Sequence, residues 1–431
     1  MFESQIAAMS WLNGSSHGDE IIRGSTGGST GCSIRTQNRI SSKSQVAFRS
    51  TACTRLFAIL MIVGMLPLVA ASTAVAQGFD VPSDGSDGVF APTANTIIDL
   101  GLATDGAWNT PGNGNGVYDS EQWLIVFKYA SVNVPAGVTV TFKNHPKNPP
   151  VVWLVDGAVE ILGNVRLDCP SGAFAAGPGG FRGGNSVLPT SGFGPGAGNR
   201  QNLATFDYGN ATCFPLVGGS GGGGVHEFGP ILAFGGGGAM LIASNTRVQL
   251  AGELTSNSPT SFLGFSGTGG MIRVVAPLVD GGGILQARGL GNGALGKIRV
   301  EANTVDLAPS TPGYSYVPLG KSFVFLRESV TPSVRVLSVA GVSAPTDPSA
   351  GFQQPADLVV GTPNVEVLVE CRNVPTNATV KIHFRSAQGD AMSTVTATLQ
   401  SGDATLSTWS ASGSLGTSQG FSTVQAEVTI P

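Results

Sequence analysis

Charge is what this 431-residue chain has least of: Lys, Arg, Asp and Glu together make up 12% of it. Histidine occurs four times and cysteine five times. Lys-, Glu- or Leu-rich periodic runs, the usual material of amphipathic helices, are few. These shortages exclude several classes. No basic patch or polybasic run is present, so nucleic acid is not an expected partner. No CxxC or Cys/His ligand spacing occurs, so a zinc site is not expected. Disordered chains pair low hydrophobicity with high net charge. Here hydrophobic residues reach 41% and the formal net charge is −4, so most of the chain should fold. What is abundant is glycine, 62 residues of it, among Val, Ile, Thr and Pro. That mixture favours an all-β protein.

Residues 56–76, LFAILMIVGMLPLVAASTAVA, carry no charge and follow Arg55. They read as a signal peptide, with an h-region over 56–70 and cleavage after Ala76. The competing reading is a membrane anchor, since the run is about long enough to span a bilayer. Pro67 and the small, polar tail favour cleavage. The 55 residues ahead are rich in Ser, Thr, Gly and Arg, as in a long n-region or a start codon placed too early. Residues 1–76 are therefore set aside from the fold. The remainder carries 17 basic and 24 acidic residues. Three of the cysteines lie in it: Cys169, Cys213 and Cys371. Export permits a disulfide, and Cys169 with Cys213 is the candidate pair; three buried thiols are the alternative.

Residues 77–122 are turn-rich and read as an N-terminal cap. From Trp123 the chain becomes apolar and strand-like, and an internal repeat appears. WLVDGAVEILGNVRL (153–167), AMLIASNTRVQLAGEL (239–254), MIRVVAPLVDGGGILQA (271–287) and KIRVEANTVDL (297–307) share one order. A short alternating strand is followed by a turn and a second strand. In three of them glycine then leads into a third strand. Strands this short are not stable alone. Stacked in coils, each pairs with its equivalent above and below, and inward side chains build one column. This is the pattern of a right-handed parallel β-helix over 123–308. It predicts that Met240 to Ala243 pairs with Ile272 to Val275. Residues 171–238, of which 22 are glycine, read as an insertion between rungs, folded over the coil or partly flexible. No G-X-Y period runs through it, which excludes collagen. Residues 309–330 read as a linker. Residues 331–431 hold regularly spaced short strands, as in an immunoglobulin-like β-sandwich.

The glycine clusters need a reason. GGSGGGGVHEFGPILAFGGGGAMLIAS (218–244) lacks the Gly-Lys-Ser/Thr of a phosphate loop and any βαβ setting, so no nucleotide is expected. The GGGG before AMLIAS stands where GTGG precedes MIRVV and LG precedes KIRVE. It reads as a rung corner, where a tight turn needs positive φ.

Catalytic residue types are sparse. His145, His226 and His383 lie in separate segments, and His226-Glu227 lacks the second histidine of a zinc motif. Carboxylates and basic residues on the rungs are candidates for polysaccharide chemistry: Asp156, Glu160, Arg166, Asp168, Arg273, Asp280, Arg288, Lys297, Arg299 and Glu301. Arg273 and Arg299 occupy matching places in adjacent repeats. They read either as a ligand face for a polyanion or sugar, or as a solvated ladder. No catalytic set is assigned. Asp84, Asp87, Asp105 and Asp119 lie in loops whose composition suits calcium, the one cofactor considered, but not in EF-hand register; Asx-turns explain them equally.

DGSDGVF, VPAGVTVTF, PPVVWLVDGAVEI, GPGGFRGG and the GGGG-A-x-L-I-A-S rungs, ahead of an Ig-like tail, resemble uncharacterised secreted Gly-rich proteins of environmental bacteria. At the fold level they resemble the pectin-lyase-like β-helix group, over most of 77–308. The resemblance implies the coil. It does not imply activity, because no active-site motif of polysaccharide-active members matches here residue by residue. The expected function is a non-catalytic, exported surface or extracellular protein, structural or adhesive, contacting polysaccharide or cell-surface components. A polysaccharide lyase or hydrolase acting on an exposed rung face is the alternative, and a calcium-dependent structural module is a third reading. Contact with a membrane is expected only through an uncleaved signal segment.

Overall fold

The computed structural model describes residues 4–13 and 79–431, except 171–174, 185–190, 199–208, 210, 225–232, 260–265, 292, 321–324, 327–331, 347–356, 387–392 and 417–419. Residues 56–76 and His226-Glu227 lie outside the described residues. The protein is all-β with parallel sheets and almost no helix.

From Leu124 the chain makes repeated passes through three sheets. The first pass is Leu124–Tyr129, Ser131–Val134 and Thr139–Lys143. The second is Val151–Val155, Val159–Ile161 and Asn164–Arg166. The third is Ala239–Ser244, Arg247–Leu250 and Glu253–Thr255. The fourth is Met271–Val275, Leu278–Gly281 and Ile284–Gln286. The fifth holds Lys297–Ala302 and Thr304–Leu307. Each strand pairs in parallel with its equivalent in the next pass. Met240 stands opposite Ile272 and Ala243 opposite Val275, the pairing the repeat predicts.

Alternation places Phe127, Trp153, Ile242, Val274 and Val300 in one continuous inward column. Tyr129 and Trp153 meet edge-on at 5.8 Å, and Phe142 lies 6.4 Å from Trp153. Each such side chain removed from water contributes about 1.5–3 kcal/mol. The first sheet is also buried on its outer face, where Val126, Val152, Leu154 and Leu241 pack with Val81 and Phe325. Burial on both faces explains why its strands read as unbroken apolar runs while those of the other two sheets alternate.

The cap region contributes strands of its own. Val89–Phe90 and Thr96–Asp99 extend the second and third sheets in parallel. Val117–Asp119 pairs antiparallel with Leu124–Tyr129. At the other end, the stretch expected to be a linker continues the coil: Ser315–Pro318 pairs in parallel with Lys297–Ala302, and Phe325 is buried. Its Pro-rich texture hid a strand that forms only because a template edge is present.

Glycine does something other than turn corners. None of Gly235 to Gly238 has φ in the left-handed region. A methyl at Gly236 would overlap the Gly219 carbonyl, one at Gly237 the Ser256 carbonyl, and one at Gly252 the Gly163 carbonyl. Within the expected insertion, the described segments 176–184, 191–198, 217–224 and 233–238 are mostly buried and are joined by 266–270, while 211–216 is mostly exposed or half-buried. They form neither helix nor strand, yet their backbones are hydrogen bonded to one another. Gly219 and Gly222, three residues apart, donate to Gly237 and Phe234. Phe181 and Gly184, again three apart, donate to Gly219 and Gly222. Gly218, just before, donates to Gly179, while between Gly219 and Gly222 Ser220 donates to the Thr268 hydroxyl and Gly221 to Phe193. Successive amides thus point at different neighbours and return after three residues. That is the period of an extended threefold helix, whose backbone groups are free to bond outward. The segments form a bundle with glycine where neighbours touch.

Residues 333–429 form two five-stranded sheets, completed by Ser4–Asn13, that share one core. In the antiparallel sheet Ser333–Val339, Asn364–Arg372 and Leu406–Ser414 are the central strands. In the other the order is Leu358–Val360, Ser4–Asn13, Gly420–Thr429, Thr379–Ser386, Ser393–Thr396. Val367, Val369, Trp409, Ile382, Val424 and Ala426 meet between them. Ser4–Asn13, set aside on sequence grounds, is thus an interior strand of this sheet.

Candidate functional site

The outward faces of the stacked passes hold the candidate chemistry. Arg273 and Arg299 are in register, as their places in the repeat predict. They are not a solvated ladder, because both are largely buried and paired. Both Nε atoms donate to Glu301 Oε1, at 2.7 and 2.8 Å. Their side chains are 9% and 16% exposed. Burial disfavours the Glu301 carboxylate, but the Arg273 and Arg299 guanidiniums beside it override this and hold it below its usual range. Arg299 also donates to the Ala211 carbonyl at 3.4 Å, and the Cys213 thiol lies 4.0 Å from the Ile272 carbonyl. Residues 211–213 therefore cover this face.

Of the two readings of the cysteines, it is the second that the structure bears out: Cys169, Cys213 and Cys371 are free, buried thiols. Cys169 donates to the Ala175 carbonyl at 3.0 Å, at the foot of the glycine bundle, while Cys213 lies against the first sheet. Burial pushes all three thiols up to about 12. Neutral thiols of this kind are poor nucleophiles.

The calcium candidates use their oxygens on backbone amides. Asp87 accepts from the amides of Gly114, Gly116 and Lys128 at 2.9, 2.9 and 2.7 Å. Asp119 accepts from Trp108, Glu121 and Gln122. Asp84 accepts from the Ser86 amide and from Lys128 Nζ, both at 3.0 Å. Burial works to raise the Asp84 carboxyl, and these hydrogen bonds outweigh it, holding it at about 2. Asp105 lies apart, at the exposed edge of the first sheet. Among the described residues no cluster of three His, Cys, Asp or Glu forms a metal site.

Other rung charges tie one pass to the next. Arg166 pairs with Glu253 at 2.9 Å. Arg247 grips Asp280 with two bonds, at 2.9 and 2.7 Å. Asp168, whose carboxyl burial pushes up, accepts from the Thr255 hydroxyl and the Asn257 amide.

Two arrangements were not visible in the sequence. On the outward side of the second sheet Asn133, Glu160, Gln249, Asp280 and Asp306 stand in register across five passes. At about 4.8 Å per rung the column runs roughly 19 Å. Glu160 and Asp280 were singled out individually; the column needs the register. In the two-sheet module, His383 Nε2 lies 2.7 Å from Glu427 Oε2 and Nδ1 lies 2.9 Å from Thr394 Oγ1. A hydroxyl, an imidazole and a carboxylate in line are the parts of a nucleophilic triad. Here they sit on three adjacent strands, His383 directly opposite Thr394 and diagonal to Glu427, as a cross-strand ladder.

Compared with known proteins, the chain has no significant match to a family model, a curated protein or a solved structure.

Proposed function

We propose that this is an exported, non-catalytic surface or extracellular protein, built as a right-handed parallel β-helix followed by an Ig-like β-sandwich. Its role is structural or adhesive, with contact to polysaccharide. The observation that carries the reading is where the rung charges go. Arg166, Arg247, Arg273 and Arg299 each bind a carboxylate, and in three of the four cases the carboxylate belongs to the neighbouring pass. Charges spent in this way hold a stack together. Export rests on the 56–76 run, and the β-helix on the strand-for-strand parallel pairing and the pectin-lyase-like motifs.

The column Asn133, Glu160, Gln249, Asp280 and Asp306 is the contact face in this reading. Its amides and carboxylates suit the hydroxyls of a neutral or amino-sugar polymer. An anionic polymer would meet like charge there. The test is a panel of neutral, acidic and amino-sugar polysaccharides, scored for binding and for released products. Binding without turnover is expected, weakened about tenfold in Gln249→Ala/Asp306→Ala, the worth of one or two hydrogen bonds. Turnover of any polymer, lost in Arg273→Ala/Arg299→Ala, would overturn the reading in favour of a lyase or hydrolase.

A further inference from the structure

The two-sheet module takes one of its interior strands from far away in sequence. Ser4–Asn13 lies between Leu358–Val360 and Gly420–Thr429. It runs parallel to Gly420–Thr429, paired at every position from Ser4 opposite Gly420 to Asn13 opposite Thr429. It runs antiparallel to Leu358–Val360. Neighbouring residues in register share a face of a sheet. In the register, Ala8, Ser10 and Leu12 are paired with Val424, Ala426 and Val428, and Ile6 with Leu358, and these four partners are buried. The strand SQIAAMSWLN carries no charge. It is also the only neighbour of Leu358–Val360 within the described sheet.

Removal of this strand leaves a gap one strand wide, about 9–10 Å between its walls. One wall is ten residues of unpaired backbone, and the floor is apolar. Open backbone edges of this length recruit another strand. The occupant precedes the 56–76 run, so cleavage after Ala76 would cut its covalent link to the module that it completes.

We propose that the gap between Leu358–Val360 and Gly420–Thr429 is a strand-acceptor site. Its ligand is an extended, uncharged segment of another protein, with small or apolar residues at alternate positions, laid parallel to Gly420–Thr429. Ser4–Asn13 is the chain's own occupant. Main-chain hydrogen bonds supply affinity and the alternate positions supply selectivity, as in other strand-addition interactions. This goes beyond the adhesive reading: it concerns a protein partner and a different module, and it stands or falls independently of polysaccharide binding.

The test uses the full chain with Ala8→Pro. Proline in a strand with neighbours on both sides removes a ladder amide and displaces the strand. A fluorescent peptide SQIAAMSWLN is then titrated, beside a control with lysine at the Ile6, Ala8 and Leu12 positions. Saturable one-to-one binding to the A8P chain is expected, at least tenfold weaker to the unmodified chain and absent with the control. Amide hydrogen exchange over 421–429 should quicken in A8P and slow again with peptide. Ile6→Asp, which disturbs only the end beside Leu358, provides the same readout if A8P fails to fold. Equal binding to both chains, binding to neither, or unchanged exchange over 421–429 would overturn the proposal. A2:2 assembly of the unmodified chain through this strand would assign the site to a second copy and overturn the foreign ligand.

Discussion

Two regions of the same coil are packed by opposite means. In the inward column, Trp153, Phe127, Ile242 and Val274 fill space with side chains. In the glycine bundle, the segments around Gly219 and Gly236 fill it with backbone. The first region gains from apolar area withdrawn from water. The second buries Phe181 and Phe193, and where glycines meet it satisfies backbone hydrogen bonds instead. The comparison shows that glycine can be required for room where no turn is made.

The sharpest way to break the comparison is to empty one region and overfill the other. Trp153→Ala should cost about 3–5 kcal/mol, the range for deleting a large buried aromatic, read as a lowered urea midpoint. Gly236→Ala should cost about 3 kcal/mol, the upper end for overpacking, because the obstacle is a carbonyl that no rotamer can move aside. Gly137 has φ +82 and open space around its Cβ position. Gly137→Ala should therefore cost only about 1–2 kcal/mol, the penalty for a left-handed Ala. Gly282, with neither constraint, should accept Ala within about 0.5 kcal/mol. If Gly236→Ala were as mild as Gly282→Ala, the bundle would not be close-packed.

Another small effect concerns a third mode, charge, at Asp84 and the buried Lys128. Asp84 titrates at about 2 when folded, against 3.8 for the unperturbed group. Its depressed value means that its contribution is complete above about pH 4 and fades as pH falls toward 2. The carboxylate is 48% exposed, so solvent screening should keep the effect under about 1 kcal/mol. An acid titration of stability for Asp84→Asn beside the unmodified chain would show the two curves converging below pH 2.

The repeat was legible because strand pairing in a stack copies one short pattern onto the next. WLVDGAVEILGNVRL and AMLIASNTRVQLAGEL align residue for residue with observed neighbours. The glycine bundle was not legible. Its segments bond in several directions at a period of three, which leaves no side-chain signature in a sequence of glycines. Ser315–Pro318 and Ser4–Asn13 escaped notice for a related reason: each is a strand only because a distant edge receives it. At the candidate site, the equivalence of Arg273 and Arg299 was readable from MIRVV and KIRVE. Their coverage by residues 211–213 was not, since it depends on contacts 59 and 88 residues apart in the chain.

The glycine bundle has a consequence outside the cell, if export occurs. An endoprotease grips its substrate by the side chain beside the bond it cuts. Val217 to Gly224 reads VGGSGGGG, and offers such enzymes one valine and one serine to hold. Enzymes that cut after lysine, arginine or aromatic residues find no purchase there, even when the segment is transiently exposed. Close packing and protease resistance thus coincide in the segment 217–224.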